Sequence, residues 1–317
     1  MAITAAQVKQ LREVTGSGMM DCKKALIETN GDMDAAVEYL RKKGQAKAEK
    51  KASRIAAEGV CFIAQDHDGR AAVVEVNSET DFVAQNETFR NYVQQVAEQV
   101  LNSAAENMDD FMLETWAADN SKTVQEALVD MIAVISEKLS IRRFKKIEEN
   151  EGCVVTYVHG RGRIGVIVDA KTAVVNDDVK TALNNVAMQI AAMNPKYISA
   201  ADIPESYKAH EREILLAQAI QENEALPENK RKPQNIIEKM LIGRLNKQFK
   251  EICLLDQVYV RAEDGKQTVG QYLQQVGKAN GTDIRIKEFV RFETGEGIEK
   301  RQDNFVEEVM AQAGAKK

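Results

Sequence analysis

Four cysteines (Cys22, Cys61, Cys153 and Cys253) and three histidines (His67, His159 and His210) are the side chains best suited to ligate a metal or to act as nucleophile and base. They lie far apart, with no C-x-x-C pair, so their spacing supports neither a zinc site nor a disulfide framework. The cysteines read as small buried residues of a reducing compartment. The chain also lacks G-x-x-x-x-G-K-[ST], a helix-opening G-x-G-x-x-G, G-x-S-x-G and H-E-x-x-H. Nothing equips it for chemistry of its own, and the expectation is a protein that is not an enzyme and holds neither cofactor nor metal.

Chemistry of another kind is suggested by "NSETDFVAQNETF", residues 77 to 89, which follows the strand-like "AAVVEV". Thr80, Asp81, Phe82 and Val83 stand at a strand-to-helix corner. A phenylalanine there either turns back into the core or is aimed outward at a partner, and the residues alone leave both open. Asp81 is an acceptor-only group at neutral pH, able to compete for the donors around an ion or phosphate, or to cap the helix that positions Phe82. Met19 and Met20 are placed in the loop between two short helices, where thioethers fill a gap or meet a partner. His159 lies in the turn "HGRGR" and either caps that turn with its ring or faces outward.

With 317 residues, 44% apolar and 29% charged, the chain has the composition of an ordinary globular protein with two or three cores. A formal net charge of -6 provides no global basic field, so nucleic acid is a poor partner. No apolar run approaches a membrane span, and "MAITAAQVKQ" has neither the charged nor the apolar region of a secretory signal. The expected location is the cytoplasm.

The elements that must position these residues read as α+β. Residues 1–54 form a three-helix N-terminal domain and basic linker. Thr4 caps a first helix with Val8, Leu11 and Val14 on one face; Asp21 opens a second; Asp34 caps a third that ends at Gly44. "RKKGQAKAEKKASR" (41–54), with seven basic residues and one acidic, is a solvated helix end or a tether, and it alone favours an RNA-binding role. An echo follows: "GRAAVVEV" (69–76) leads to a helix with "VAEQV" (96–100), as "GRIGVIVDA" (162–170) leads to one with "VAMQI" (186–190). The offsets, 93 residues for the strands and 90 for the helices, imply two similar α+β subdomains, 55–147 and 148–288. Between them "VQEALVDMIAVISEKL" puts Val124, Leu128, Met131, Ile132, Ile135 and Leu139 on one helical stripe. Two helix-patterned segments at about 203–249, joined by the tip "EALPENKRKP", form a projecting helical hairpin that needs the core or another chain to pack against. Residues 289–317 close the chain as a separate module, a strand "FVRFETGEGIEK" and a short helix "NFVEEVMAQ".

Five stretches resemble, in order, the signatures of bacterial elongation factor Ts: "LREVTGSGMMDCKKAL", "EVNSETDFVAQNETF", "YVHGRGRIGV", "NIIEKMLIGRLNKQF" and "FVRFETGEGIEK". Ser78 departs from the cysteine of many relatives, and the hairpin tip is longer. The resemblance implies a ubiquitin-associated-like N-terminal bundle, a paired α+β core and a coiled-coil protrusion. It implies a guanine-nucleotide exchange factor for the GTPase elongation factor Tu, in which Thr80, Asp81, Phe82 and Val83 disturb the magnesium site of the GTPase. It further implies that Arg12, Met19 and Met20 grip a helix of the GTPase domain and that His159 meets a β-barrel domain. Pairing of two copies through the hairpin stays open. The rival from another class is a non-catalytic tether that uses the bundle and the coiled coil.

Overall fold

The computed structural model describes residues 3–148 and 151–299. Helix α1 (Ala5–Thr15) opens on a capping box in which the Thr4 hydroxyl and the Gln7 amide exchange hydrogen bonds with each other's backbone, and it closes on Gly16 at φ 64°. Val8 and Leu11 turn inward, but Val14 stays 67% exposed, so the apolar face is narrower than its spacing predicts. Helix α2 (Met19–Glu28) begins two residues before Asp21 with Gly18 as its cap. Met19 and Met20 therefore open a helix instead of lying in a loop, and neither fills the core.

Helix α3 (Met33–Lys51) is capped by the Asp32 side chain, not by Asp34, and runs straight through Gly44. The basic run is consequently helix over most of its length, not a tether. Its Ala, Gln, Lys and Glu residues are good helix formers, and Lys43 and Lys47 are held by Asp21 of α2 at 2.6 and 2.9 Å. The bundle core is small: Val8, Leu11, Cys22, Ala25, Leu26, Ala36 and Leu40.

Beyond the bundle the chain repeats one plan twice. Strands β1 (Glu58–Gln65), β2 (Arg70–Ser78) and β3 (Ser140–Glu148) form an antiparallel sheet in that order. Between β2 and β3 come α4 (Asp81–Ala84), α5 (Glu87–Asn102), α6 (Met108–Leu113) and α7 (Val124–Ile135). Helix α7 ends at Ser136, φ 66°, so Leu139 of the predicted stripe is buried from outside the helix. The second antiparallel sheet is β4 (Gly152–His159), β5 (Ile164–Lys171) and β6 (Arg285–Glu293). Between β5 and β6 lie α8 (Asp177–Met193), α9 (Glu205–Glu224), α10 (Gln234–Ile252) and α11 (Val269–Ala279).

Strand β6 pairs along the whole of β5, so residues 285–293 complete the second sheet rather than start a separate C-terminal module. The expected helix "NFVEEVMAQ" lies outside the described residues. Because β2 is buried on both faces, it can be shared by two cores. Ala72, Val74 and Val76 meet α5, while Ala71 and Val73 meet Ile147, Val154, Ile167 and Val290 between the two sheets. The sheets thus stack back to back, with helices on the outer face of each.

Helices α9 and α10 form the expected hairpin, in which only Ala219, Ile237 and Leu241 are buried. Polar pairs along it include Arg244 with Glu222 at 2.6 Å and Gln248 with Glu211 at 2.6 Å. Among the described residues no helix is long and apolar enough to cross a membrane. All four cysteines are free and buried.

Candidate functional site

The corner after β2 resolves into a single helical turn, α4. Its cap is Thr80, whose hydroxyl accepts the Val83 amide at 3.3 Å, and Asp81 is the first helical residue with its side chain exposed. The capping role considered for Asp81 therefore belongs to Thr80. Val83 and Ala84 pack against the first core, whereas Phe82 points outward and is 82% exposed. A side chain of this size left so bare holds no core position. Beside it runs an open cleft of about 1120 Å³, lined in part by Arg54, Ile55, Glu79 and Arg163.

The turn is anchored by side chains that sequence reasoning missed. The Glu137 carboxylate accepts the backbone amides of Glu79 and Thr80, both at 3.1 Å, and the Thr80 hydroxyl at 2.7 Å. In return Glu79 accepts the Lys138 amide at 2.5 Å and the Arg54 guanidinium at 3.2 Å. Glu137 and Lys138 stand 57 to 59 residues from the groups they bind and Arg54 stands 25 from Glu79, so no local spacing could have signalled them.

Arg90 joins this turn to the one carrying His159. Its Nη1 donates to Ala84 O, at the end of α4, at 3.3 Å and to Arg161 O at 3.0 Å. The "HGRGR" turn needs left-handed backbone at Gly160, Arg161 and Gly162 (φ 60°, 58° and 99°), and Gly162 O accepts the Cys61 amide at 2.6 Å. His159 is exposed, and its Nδ1 lies 2.9 Å from the Tyr157 hydroxyl, so the ring pairs along its own strand instead of capping the turn. The structure thus brings the Phe82 and His159 turns together across Arg90.

Arg12, Met19 and Met20 sit apart on the bundle. All are exposed, Met19 to 57% and Met20 to 74%. Helix α7 carries the bundle: Gly44 of α3 lies against Ala133 and Val129, Arg41 pairs with Glu126, and Gly16 lies against Val134.

Beneath the site, wholly buried Glu75 ties the two sheets together. It accepts Gly295 N at 2.8 Å, Arg142 Nη1 at 2.9 Å, Arg143 Nε at 2.5 Å and Asn77 Nδ2 at 3.0 Å. Burial opposes its charge, but the Gly295 amide, Asn77 and the two guanidiniums outweigh burial and hold the carboxyl below its ordinary range. Cys61 is the opposite case: burial pushes its thiol up to about 12, which leaves it protonated and unreactive. Among the described residues no three His, Cys, Asp or Glu side chains gather as a metal site.

The family model described as Elongation factor TS matches residues 79–296, from the residue before Thr80 through the Glu75-bound turn at Gly295. The chain belongs to the elongation factor Ts family. An Elongation factor Ts of Clostridioides difficile is 49% identical over 311 residues, 98% of each chain. One from Clostridium perfringens is 46% identical over 314 residues, 98% of this chain and 99% of the relative. One from Trichlorobacter lovleyi is 46% identical over 321 residues, 100% of both. Membership in the elongation factor Ts family therefore extends over the N-terminal bundle as well as the paired sheets.

Proposed function

We propose that the protein is a cytoplasmic guanine-nucleotide exchange factor for elongation factor Tu, acting by contact and carrying out no bond chemistry itself. The observation that carries this reading is Phe82, a bare aromatic on a capped and doubly anchored turn. Magnesium in a GTPase bridges phosphates, a hydroxyl and waters in near-ideal octahedral geometry, so a small displacement of its surroundings evicts it. Burying Phe82 in an apolar slot of the partner contributes roughly 1.5–3 kcal/mol toward such a displacement. Asp81, exposed beside it, competes for the donors and waters that hold the ion.

Arg12, Met19 and Met20, on a bundle of ubiquitin-associated-like form, grip the GTPase domain, and His159 meets a second domain of the partner. Holding both ends lets the factor separate the phosphate side of the nucleotide site from the base side. Coupling is reciprocal: the factor weakens nucleotide binding as much as nucleotide weakens the factor, so exchange accelerates without a change in the overall equilibrium. Stopped-flow release of a fluorescent GDP from elongation factor Tu tests this. Acceleration at saturating factor is expected, and its absence overturns the proposal.

The exposed Met19 and Met20 also suit a plain tether. A tether binds the GTPase equally with and without GDP, whereas an exchange factor prefers the empty form. Pairing of two copies through the hairpin, where Ile220 and Ile242 are 41% and 57% exposed, is read by sedimentation with and without the partner.

A further inference from the structure

The Phe82 turn is held by more than its own Thr80 cap. Backbone amides 79 and 80 and the Thr80 hydroxyl all converge on the one carboxylate of Glu137, and the Glu79 carboxylate crosses back to the Lys138 amide. Lys138 Nζ and the Glu79 carboxylate then fix the two sides of Arg54, at its carbonyl (2.7 Å) and its guanidinium (3.2 Å). Hydrogen bonds to an ionised carboxylate are about twice as strong as neutral ones, and three donors on one group fix its direction. Residues 137 and 138 directly follow the left-handed Ser136 that ends α7. The same helix supports the bundle through Val129, Ala133, Val134 and Glu126.

We infer that the reciprocal Glu79–Glu137 exchange positions the proposed wedge: it fixes the Phe82 turn to the end of α7, the helix on which the partner-gripping bundle rests. The inference deepens the exchange-factor reading and depends on it. Glu137 and Glu79 are positioning residues that act through Phe82, and the helix whose end they clasp also carries the bundle with Met20. A wedge on a loose turn would spend its contact on ordering itself, since only interactions stronger in the nucleotide-releasing state raise the maximal rate.

The test is a double-mutant cycle on GDP release from elongation factor Tu. Glu137→Ala is expected to lower the maximal rate about tenfold, with a change of less than about twofold in the half-saturating concentration. In a Phe82→Ala background it is expected to add nothing. Glu137→Gln should restore most of the rate, because its amide oxygen still accepts two backbone amides and its NH₂ can face the Thr80 hydroxyl. Equal losses in both backgrounds, or a change confined to the half-saturating concentration, overturn the inference. Amide hydrogen exchange reads the clasp without any partner: residues 79, 80 and 138 should be protected in the unaltered chain and released in Glu137→Ala while β2 stays protected. If the unaltered protein fails to accelerate release, the proposed function falls, and fast exchange at 79 and 80 in that protein overturns the clasp separately.

Discussion

Gln99 and Gln189 grip the chain in the same way in the two halves of the core. Gln99 Nε2 donates to Thr115 O and its Oε1 accepts Ala117 N, both at 2.9 Å. Gln189 Nε2 donates to Val258 O at 3.1 Å, and its Oε1 accepts Val260 N at 2.8 Å. Each amide thus clamps residues two apart, around a buried aromatic, Trp116 or Tyr259. Each clamped segment then bridges to the threonine that caps the next helix, Thr115 to Thr123 and Val258 to Thr268. The shared plan therefore reaches past the strand and helix of the sequence echo to α7 and α11, with the hairpin inserted in the second half. Gln99→Leu and Gln189→Leu each remove two hydrogen bonds to half-buried backbone groups, and each should lower stability by about 1–2 kcal/mol in denaturant melts. Glutamate should do no better at neutral pH, since a carboxylate cannot donate to the carbonyl; an unshifted midpoint would count against the clamp.

Glu75 sets an acid limit to stability. Its folded carboxyl lies below the ordinary value near 4.5, and Asp21, bonded first by Lys43 and then by Lys47, lies below 3.8. Both therefore contribute stability that is present above the unfolded values and lost as pH falls through the folded ones. Melts from neutral pH downward should show stability falling across the carboxyl range. Glu75→Gln should cost about 3 kcal/mol at neutral pH, because two guanidiniums lose their counter-charge, and should flatten that slope. A variant with the same acid slope as the parent would place the titration elsewhere.

The paired core and the hairpin were legible because their signals are local: alternating β-branched strands, helical stripes, and a proline-marked tip between two amphipathic runs. What misled was also local. Gly44 read as a helix end, yet the good helix formers around it and the packing of α3 on Ala133 and Val129 carried the helix onward. "FVRF" read as the start of a new module because a strand does not announce its partner, and β5 lies more than a hundred residues earlier. At the site, the types of Thr80, Asp81, Phe82 and Val83 were visible, but which side chain turned out was not. That was decided by Val83 joining the core and by Glu137, invisible at its distance in sequence.

Gly44 also gives a prediction whose sign is not obvious. An added Cβ would lie 3.5 Å from Ala133 Cβ and 3.8 Å from Val129 Cγ1, ordinary contact distances, in a helix interior with no unusual backbone angle. Gly44→Ala should therefore stabilise by about 0.5–1 kcal/mol through helix propensity. Gly44→Leu has no such room and should loosen the bundle from α7. Differential scanning calorimetry of the two variants checks the pair, and a destabilised alanine variant would show the close approach to be tighter than these distances.

Phe82 and Val83 are neighbours with opposite environments, which separates contact from folding. Phe82→Ala removes an 82% exposed ring and should leave the melting curve within about 0.5 kcal/mol of the parent, whereas Val83→Ala removes packing from the first core and should cost about 1 kcal/mol. In GDP release the order should reverse in kind. Phe82→Ala should lower the maximal rate at saturating factor, while changes at Arg12, Met19 or Met20 should mainly raise the concentration needed, because anchors bind both states alike and a wedge does not. Asp81→Asn then isolates the charge. Since Thr80 caps α4, the turn should stay folded, and under the proposed mechanism any defect should shrink when release is measured in excess chelator. A defect of the same size with the magnesium already gone would assign Asp81 to shaping the turn and leave Phe82 as the residue that acts.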